Sequence, residues 1–216
     1  MASPAERDRP LHWALLAAVG AVGVWSFIAP ADRPTWWMEA LPALIVAPLL
    51  IWTRRRFPLT RLLYVLIALH AVILLVGAHY TYEHVPLFDW IKERWHLGRN
   101  HYDRLGHLAQ GFVPAVAARE ILLRKRVIDP SKRGWLFFLV LCVCMAISAC
   151  YELAEWLTAV AIGGAADKFL ATQGDPFDTQ EDMCCALVGA VAALLLLGRF
   201  HERALARCHV RSPASS

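Results

Sequence analysis

The sequence predicts an all-α fold: a polytopic transmembrane helix bundle of about six spans, with both termini cytoplasmic. Three observations predict it. Of 216 residues, 58% are hydrophobic and 19% charged, with a mean hydropathy of +0.43, whereas soluble domains are about 45–50% apolar and about 25% charged. Six stretches are long and apolar enough for helices crossing a hydrocarbon core of about 30 Å, which takes roughly 20 residues. Lys and Arg cluster on alternate connections between those stretches. The same composition excludes a disordered chain, a collagen-like repeat and a disulfide scaffold.

The first span is expected at about 11–30, between a basic flank (Arg7, Arg9) and an end rich in Trp. Ala29-Pro30-Ala31 looks like a signal-peptide cleavage site, but the apolar run exceeds the 7–15 residues of a signal h-region, so this reads as a retained helix. Span two, 36–53, carries Pro42 and Pro48, which membrane helices tolerate. Trp25, Trp36, Trp37 and Trp52 suit interfacial anchoring. Span three, 61–79, is clean except for His70, expected to hydrogen-bond a neighbouring helix. In the connection that follows, Leu87, Trp90, Ile91 and Trp95 fall near one face of 87–97, which predicts a short helix lying in the outer interface.

Span four, 104–123, and span five, 135–159, are interrupted by polar residues, and span six covers 183–199. The whole chain, 1–216, reads as a single integral membrane domain with a flexible tail over 200–216. Basic residues at 54–56 and 61, at 124–126, 132 and 133, and at 199, 203, 207 and 211 fall on one side, together with both termini. By the positive-inside rule that side is cytoplasmic. The acids gather on the opposite, outer side. The six cysteines form no C-x-x-C pair and read as packing residues. No phosphate loop, nucleophile elbow or basic-aromatic nucleic-acid surface is present, so no nucleic-acid partner is expected. The oligomeric state is left open.

Ionisable groups within a span cost roughly 2.5–3.5 kcal/mol at its centre, so each calls for a partner or a function. At helical spacing, Asp103, His107 and Gln110 form a stripe descending span four from its outer end. Ser148, Glu152 and Glu155 share a face near the outer end of span five. If the last helix begins near Asp178, then Asp178 and Asp182 lie one turn apart at its start. Two readings of this convergence compete. In one, His107, Asp103, Asp178 and Asp182 hold a divalent metal ion, with Glu152, Glu155 or Asp175 as catalytic carboxylates. Asn100, Tyr102, Arg104, Gln110 and Gln173 would then bind substrate. In the other, Arg99 and Arg104 balance the acids in a structural network. Arg119 and Glu120, at the inner end of span four, read as structural, with Glu120 paired to a basic loop residue.

The segments GAHYTYEHVPLFDW (77–90), RNHYDRLGHLAQGFVPAVAAREIL (99–122), YELAEW (151–156) and ATQGDPFDTQEDM (171–183) resemble a bacterial family of small polytopic inner membrane proteins, the YjdF-like family, classed as a domain of unknown function. That resemblance implies architecture and an inner-membrane location, and no reaction. A fainter similarity, to VanZ-like membrane proteins, rests on 103–108, Glu152 to Glu155, and Asp175 to Asp182. Here Glu155 stands where those proteins usually have Gln, and the Asn of their final helix is missing. The functions that fit are a metal-dependent hydrolase or transferase acting on a lipid-linked, amphipathic or envelope substrate, a proton- or cation-coupled transporter, or a non-catalytic assembly or sensor protein. Whether the protein is an enzyme is left open by the sequence.

Overall fold

A computed structural model describes residues 8–162 and 173–209, and these form seven helices and no strand. They are α1 (Arg9–Phe27), α2 (Arg33–Thr53), α3 (Arg61–His79), α4 (Pro86–Arg94), α5 (Tyr102–Arg124), α6 (Arg133–Ile162) and α7 (Asp178–His209). Helix starts follow local chemistry. Pro occupies the first turn of α1, α2 and α4, where its missing N–H costs nothing. Asp32 caps α2 by accepting from the Thr35 N–H at 2.9 Å, and the Thr35 hydroxyl together with that N–H holds its carboxyl below the ordinary aspartate range. Thr60 caps α3 through the Leu63 N–H.

Five helices are long and apolar enough to cross a membrane: α1, α2, α3, α6 and α7. The expected fourth span is also a continuous helix, the 23-residue α5. At 1.5 Å per residue it is about 35 Å long, but Asp103, Arg104, His107, Arg119 and Glu120 keep its hydropathy below that of the others. Its position explains how it carries them. It packs against α3, α6 and α7, so its polar groups face protein. The last helix runs ten residues beyond the predicted end of span six, so 200–209 is helical where a flexible tail was expected. Leu205 and His201 are buried there, and those contacts extend the helix. The rest of the tail, 210–216, and Ala171 and Thr172 lie outside the described residues.

Two glycines set the closest approach in the bundle. A Cβ on Gly111 (α5) would run into the backbone carbonyl of Ala186, and one on Gly189 (α7) into that of Leu108. With Ala115, Ala118, Ala190 and Ala193 buried alongside, α5 and α7 meet through small residues, the usual solution for close helix packing in membranes. The main apolar core lies next to this seam and includes Leu63, Val113, Val116, Leu136, Val140 and Cys144. All six cysteines are free.

Contacts at the helix ends show an up-and-down arrangement. At one end Asp8 pairs with Arg61, Arg124 donates to the Pro58 carbonyl, and Glu120 meets both Thr60 and His201. The described basic clusters gather here. At the other end Ser26, Trp36 and His79 join α1, α2 and α3, and the acids of α5, α6 and α7 converge. The 87–97 segment forms α4 as predicted. Its Leu87, Trp90 and Trp95 point away from the bundle, while Asp89 and the Val85 carbonyl anchor it to Asn100.

A candidate cation site among four helices

α5, α6 and α7 bring their polar residues together at the acidic end. Asp103, His107 and Asp182 are all buried, and one ligand atom from each lies within 4.8 Å of the others. His107 Nε2 is 3.5 Å from Asp103 Oδ1 and 3.7 Å from Asp182 Oδ1. On the other face of the ring, Nδ1 is 3.6 Å from Glu152 Oε1. The spacing of Asp103 and His107 at i and i+4 puts both on one face of α5, and the close packing of Gly111 on Ala186 and of Gly189 on Leu108 brings Asp182 of α7 near enough to join them.

Three atoms here lack hydrogen-bond partners among the described residues: His107 Nδ1, Glu152 Oε1 and Ser148 Oγ, all buried. Unsatisfied buried polar groups are rare, and each asks for an explanation such as an ion, a water or a catalytic role. Donor chemistry narrows the choice. One imidazole nitrogen with two carboxylate oxygens suits zinc, manganese or iron. A carboxylate behind the far nitrogen of a ligating histidine is the common device for fixing its tautomer, and Glu152 stands in that position.

Next to this cluster lies a second one, in which arginines hold acids. Arg99 meets Asp178 at 2.5 Å and Asp175 at 3.4 Å, and Arg104 meets Asp178 at 2.8 Å, Glu181 at 2.9 Å and Asp175 at 3.3 Å. Arg104 also pairs with Asp182 through the same Oδ1 that faces His107. Acids outnumber arginines across the two clusters, so the arginines satisfy only part of the buried negative charge. The remainder needs protons or a cation.

A family model described as a predicted membrane protein, DUF2238, matches residues 11–203. The chain belongs to this family. It is 53% identical over 184 residues to the inner membrane protein YjdF of Escherichia coli (strain K12), covering 85% of this chain and 87% of that one. No solved structure matches. The resemblance carried by the four polar segments therefore holds for nearly the whole chain, and the protein is a membrane protein of the YjdF family with several membrane-spanning helices.

Within this DUF2238 chain the other predicted site residues divide by what they touch. Asp178, expected among the ligands, lies outside the three-residue group and pairs with Arg99 and Arg104. Asp175 is bound to the same arginines and accepts the Phe177 N–H at 2.9 Å, which folds the turn into α7. Asn100 and Gln173, expected to bind substrate, hydrogen-bond each other and join two loops. The Asn100 N–H donates to Gln173 Oε1 at 2.9 Å, and Gln173 Nε2 donates back to the Asn100 carbonyl at 3.0 Å. Asn100 is fully buried and its side chain is spent on Val85, Asp89 and Tyr102. Tyr102 is likewise structural, its hydroxyl donating to the Ile73 carbonyl at 2.9 Å. Gln110 is half-buried and hydrogen-bonds none of the described residues. Glu155 is half-buried, makes no hydrogen bond to a described residue, and has Glu39 and Glu152 as its strongest charged neighbours.

Glu39 of α2 is the residue that sequence reasoning passed over. It is buried and accepts the Tyr151 hydroxyl at 2.9 Å, and the Tyr151 ring stands edge-on to His107 with centroids 6.0 Å apart. The signal was present, since Glu39 is the one acid in the apolar 36–53 stretch. His70 was expected to bond a neighbouring helix, but its buried Nε2 has no partner among the described residues. At the opposite end Glu120 behaves as predicted, pairing with Arg124 at 2.8 Å. His101, at the N-terminal edge of α5, stays outside the cluster, and burial with Arg99 and Arg104 nearby lowers its pKa.

Proposed function

We propose that this protein is a six-span inner-membrane protein with both termini in the cytoplasm, whose outward-facing site binds a divalent cation through Asp103, His107 and Asp182. In this reading α5 is the sixth crossing. Its polar stripe faces α6 and α7, and the basic clusters at one end of the bundle mark the cytoplasmic side. The observation that carries the reading is the approach of the three ligand atoms to within 4.8 Å, with His107 backed by Glu152.

The chemistry proposed is metal-assisted hydrolysis or group transfer on a lipid-linked or otherwise amphipathic envelope substrate. A divalent cation at this site would supply Lewis acidity and offset repulsion among the acids. Glu152 orients His107. Glu155, half-buried and without a hydrogen bond to a described residue, would serve as the base that takes a proton from an attacking water. Arg104 touches both clusters and serves to bind an anionic group of the substrate. The exposed apolar face of α4, with Leu87, Trp90 and Trp95, keeps the mouth of the site at the membrane surface where such a substrate lies.

Metal analysis of the detergent-purified protein tests this. Near-stoichiometric zinc, manganese or iron is expected in the wild type, with loss of most of it in His107→Ala and Asp103→Asn. Asp178→Asn should keep its metal, because that carboxylate belongs to the arginines. Undiminished metal in a His107→Ala, Asp182→Ala double variant would sink the ligand assignment.

One observation favours a second reading, a proton- or cation-coupled transporter. Buried titratable groups occur at both ends of the bundle, Glu39, His107 and Glu152 at one and Glu120 with His201 at the other, and His70 lies in α3 with an unpartnered nitrogen. Proton-coupled uptake in proteoliposomes that is abolished by Glu152→Gln would select it.

A further inference from the structure

An apolar cleft opens elsewhere in the molecule, toward the basic end, between α1 and α2. Both helices pack on α3, and they meet one another at the acidic end, where the Trp36 indole donates to Ser26 Oγ at 2.8 Å and Phe27 packs on Trp36 and Trp37. From that junction they splay, leaving a slot of about 170 Å³ floored by α3. Small residues keep the slot open: Ala43 and Ala47 on α2, and Ala68 and Ala71 on α3. Trp13, Leu16, Val46 and Leu50 complete an almost wholly apolar lining.

The mouth of the cleft differs in character. His12, Arg54 and Tyr64 stand there, at the start of α1, the end of α2 and the start of α3. Arg54 is half-buried and makes no ion pair with any described residue, unlike Arg61, which has Asp8. Arg55 and Arg56 follow, both exposed. The Tyr64 hydroxyl accepts the Leu59 N–H at 3.4 Å and keeps its own proton to donate. A slot fit for a hydrocarbon chain thus ends at a guanidinium with no ion pair among the described residues, a phenol and an imidazole. Basic pockets between membrane helices are suited to anionic headgroups, and a guanidinium grips a phosphate through paired N–H donors.

We propose that this cleft is a binding site for an anionic phospholipid, with one acyl chain lying between α1 and α2 and the phosphate held by Arg54 and Tyr64. The charge complementarity at the mouth selects the anionic class. The apolar slot selects a lipid over a free phosphate.

Native mass spectrometry of the full chain, released from nanodiscs of equal parts phosphatidylglycerol and phosphatidylcholine, tests the proposal. Wild-type protein should retain phosphatidylglycerol over phosphatidylcholine by about tenfold, the scale of one charge-assisted contact. Arg54→Ala should erase that preference while leaving some lipid bound. Ala47→Phe and Ala68→Phe, which fill the slot from α2 and α3, should each remove the retained lipid. Thermal melting within a few degrees of wild type would certify each variant as folded. Equal retention of the two lipids by wild type, unchanged lipid in both filling variants, or a protein dimer lost on filling the slot would each overturn the proposal.

Discussion

Glu120 shows what a buried carboxylate requires when it is structural. It is fully buried and accepts from the Thr60 N–H (2.9 Å), the Thr60 hydroxyl (2.7 Å), Arg124 (2.8 Å) and His201 Nε2 (3.1 Å). Arg119 donates to His201 Nδ1 at 3.1 Å and can only donate, so Nδ1 must accept and the proton sits on Nε2. In this arrangement His201 joins α5 to α7. Removing Glu120 would strand Arg124 and His201, and loss of one partner from a buried network typically costs about 3–5 kcal/mol. Glu120→Ala should lower thermal stability by that order in detergent, measured by melting, without altering metal content. Glu152 has the opposite character, with an oxygen left unpartnered in a buried setting. That contrast separates a fully hydrogen-bonded structural network from the proposed cation site. The sequence already reads Glu120 as structural and Glu152 as a candidate site residue, but the partners each carboxylate finds lie on other helices and are not written in its own segment.

Among the elements, the α5–α7 pair determines whether the site exists. Asp103 and His107 share a helix face by spacing alone, but Asp182 joins them only if α7 approaches closely and in the right rotation. Gly111 and Gly189 permit that approach, since any side chain there would meet backbone of the opposing helix. Backbone cannot yield as a flexible side chain does, so Gly111→Leu should push the helices apart. Overpacking of this kind costs about 1–3 kcal/mol or more. The expected outcome is lower thermal stability together with loss of bound metal, although no ligand has been changed. Retained metal at wild-type level would show that the three ligand atoms do not depend on this contact. Helix existence was legible throughout: each of the six apolar stretches and the 87–97 segment contains a helix, although the first stretch's helix ends at Phe27 and that of 87–97 at Arg94, three residues short of the predicted bound in each case. The end of α7 was not, because an amphipathic continuation such as FHERALARCH resembles a tail until His201 and Leu205 are seen to be buried.

At the scale of the whole molecule, charge is sorted between the two ends of the bundle. The proposed topology makes a direct prediction. A reporter that fluoresces only when folded in the cytoplasm, fused after Ser216, should be bright, and a periplasm-dependent phosphatase fused at the same place should be inactive. The reverse pattern would invert the proposed orientation and turn the acidic site inward. The sequence by itself determined the membrane class and the helices, because hydropathy accumulates along a chain and needs no knowledge of neighbours. It also named Asp103, His107, Glu152 and Asp182 as residues that converge. Tertiary structure alone decided how they divide: Asp178 to the arginines, Asn100 and Gln173 to a loop clamp, Glu39 into the cluster from α2, and three ligand atoms to one another. Those assignments depend on helix rotation and on interhelical distances of a few ångströms, which are set by packing at Gly111 and Gly189 and carry no signature in any one segment.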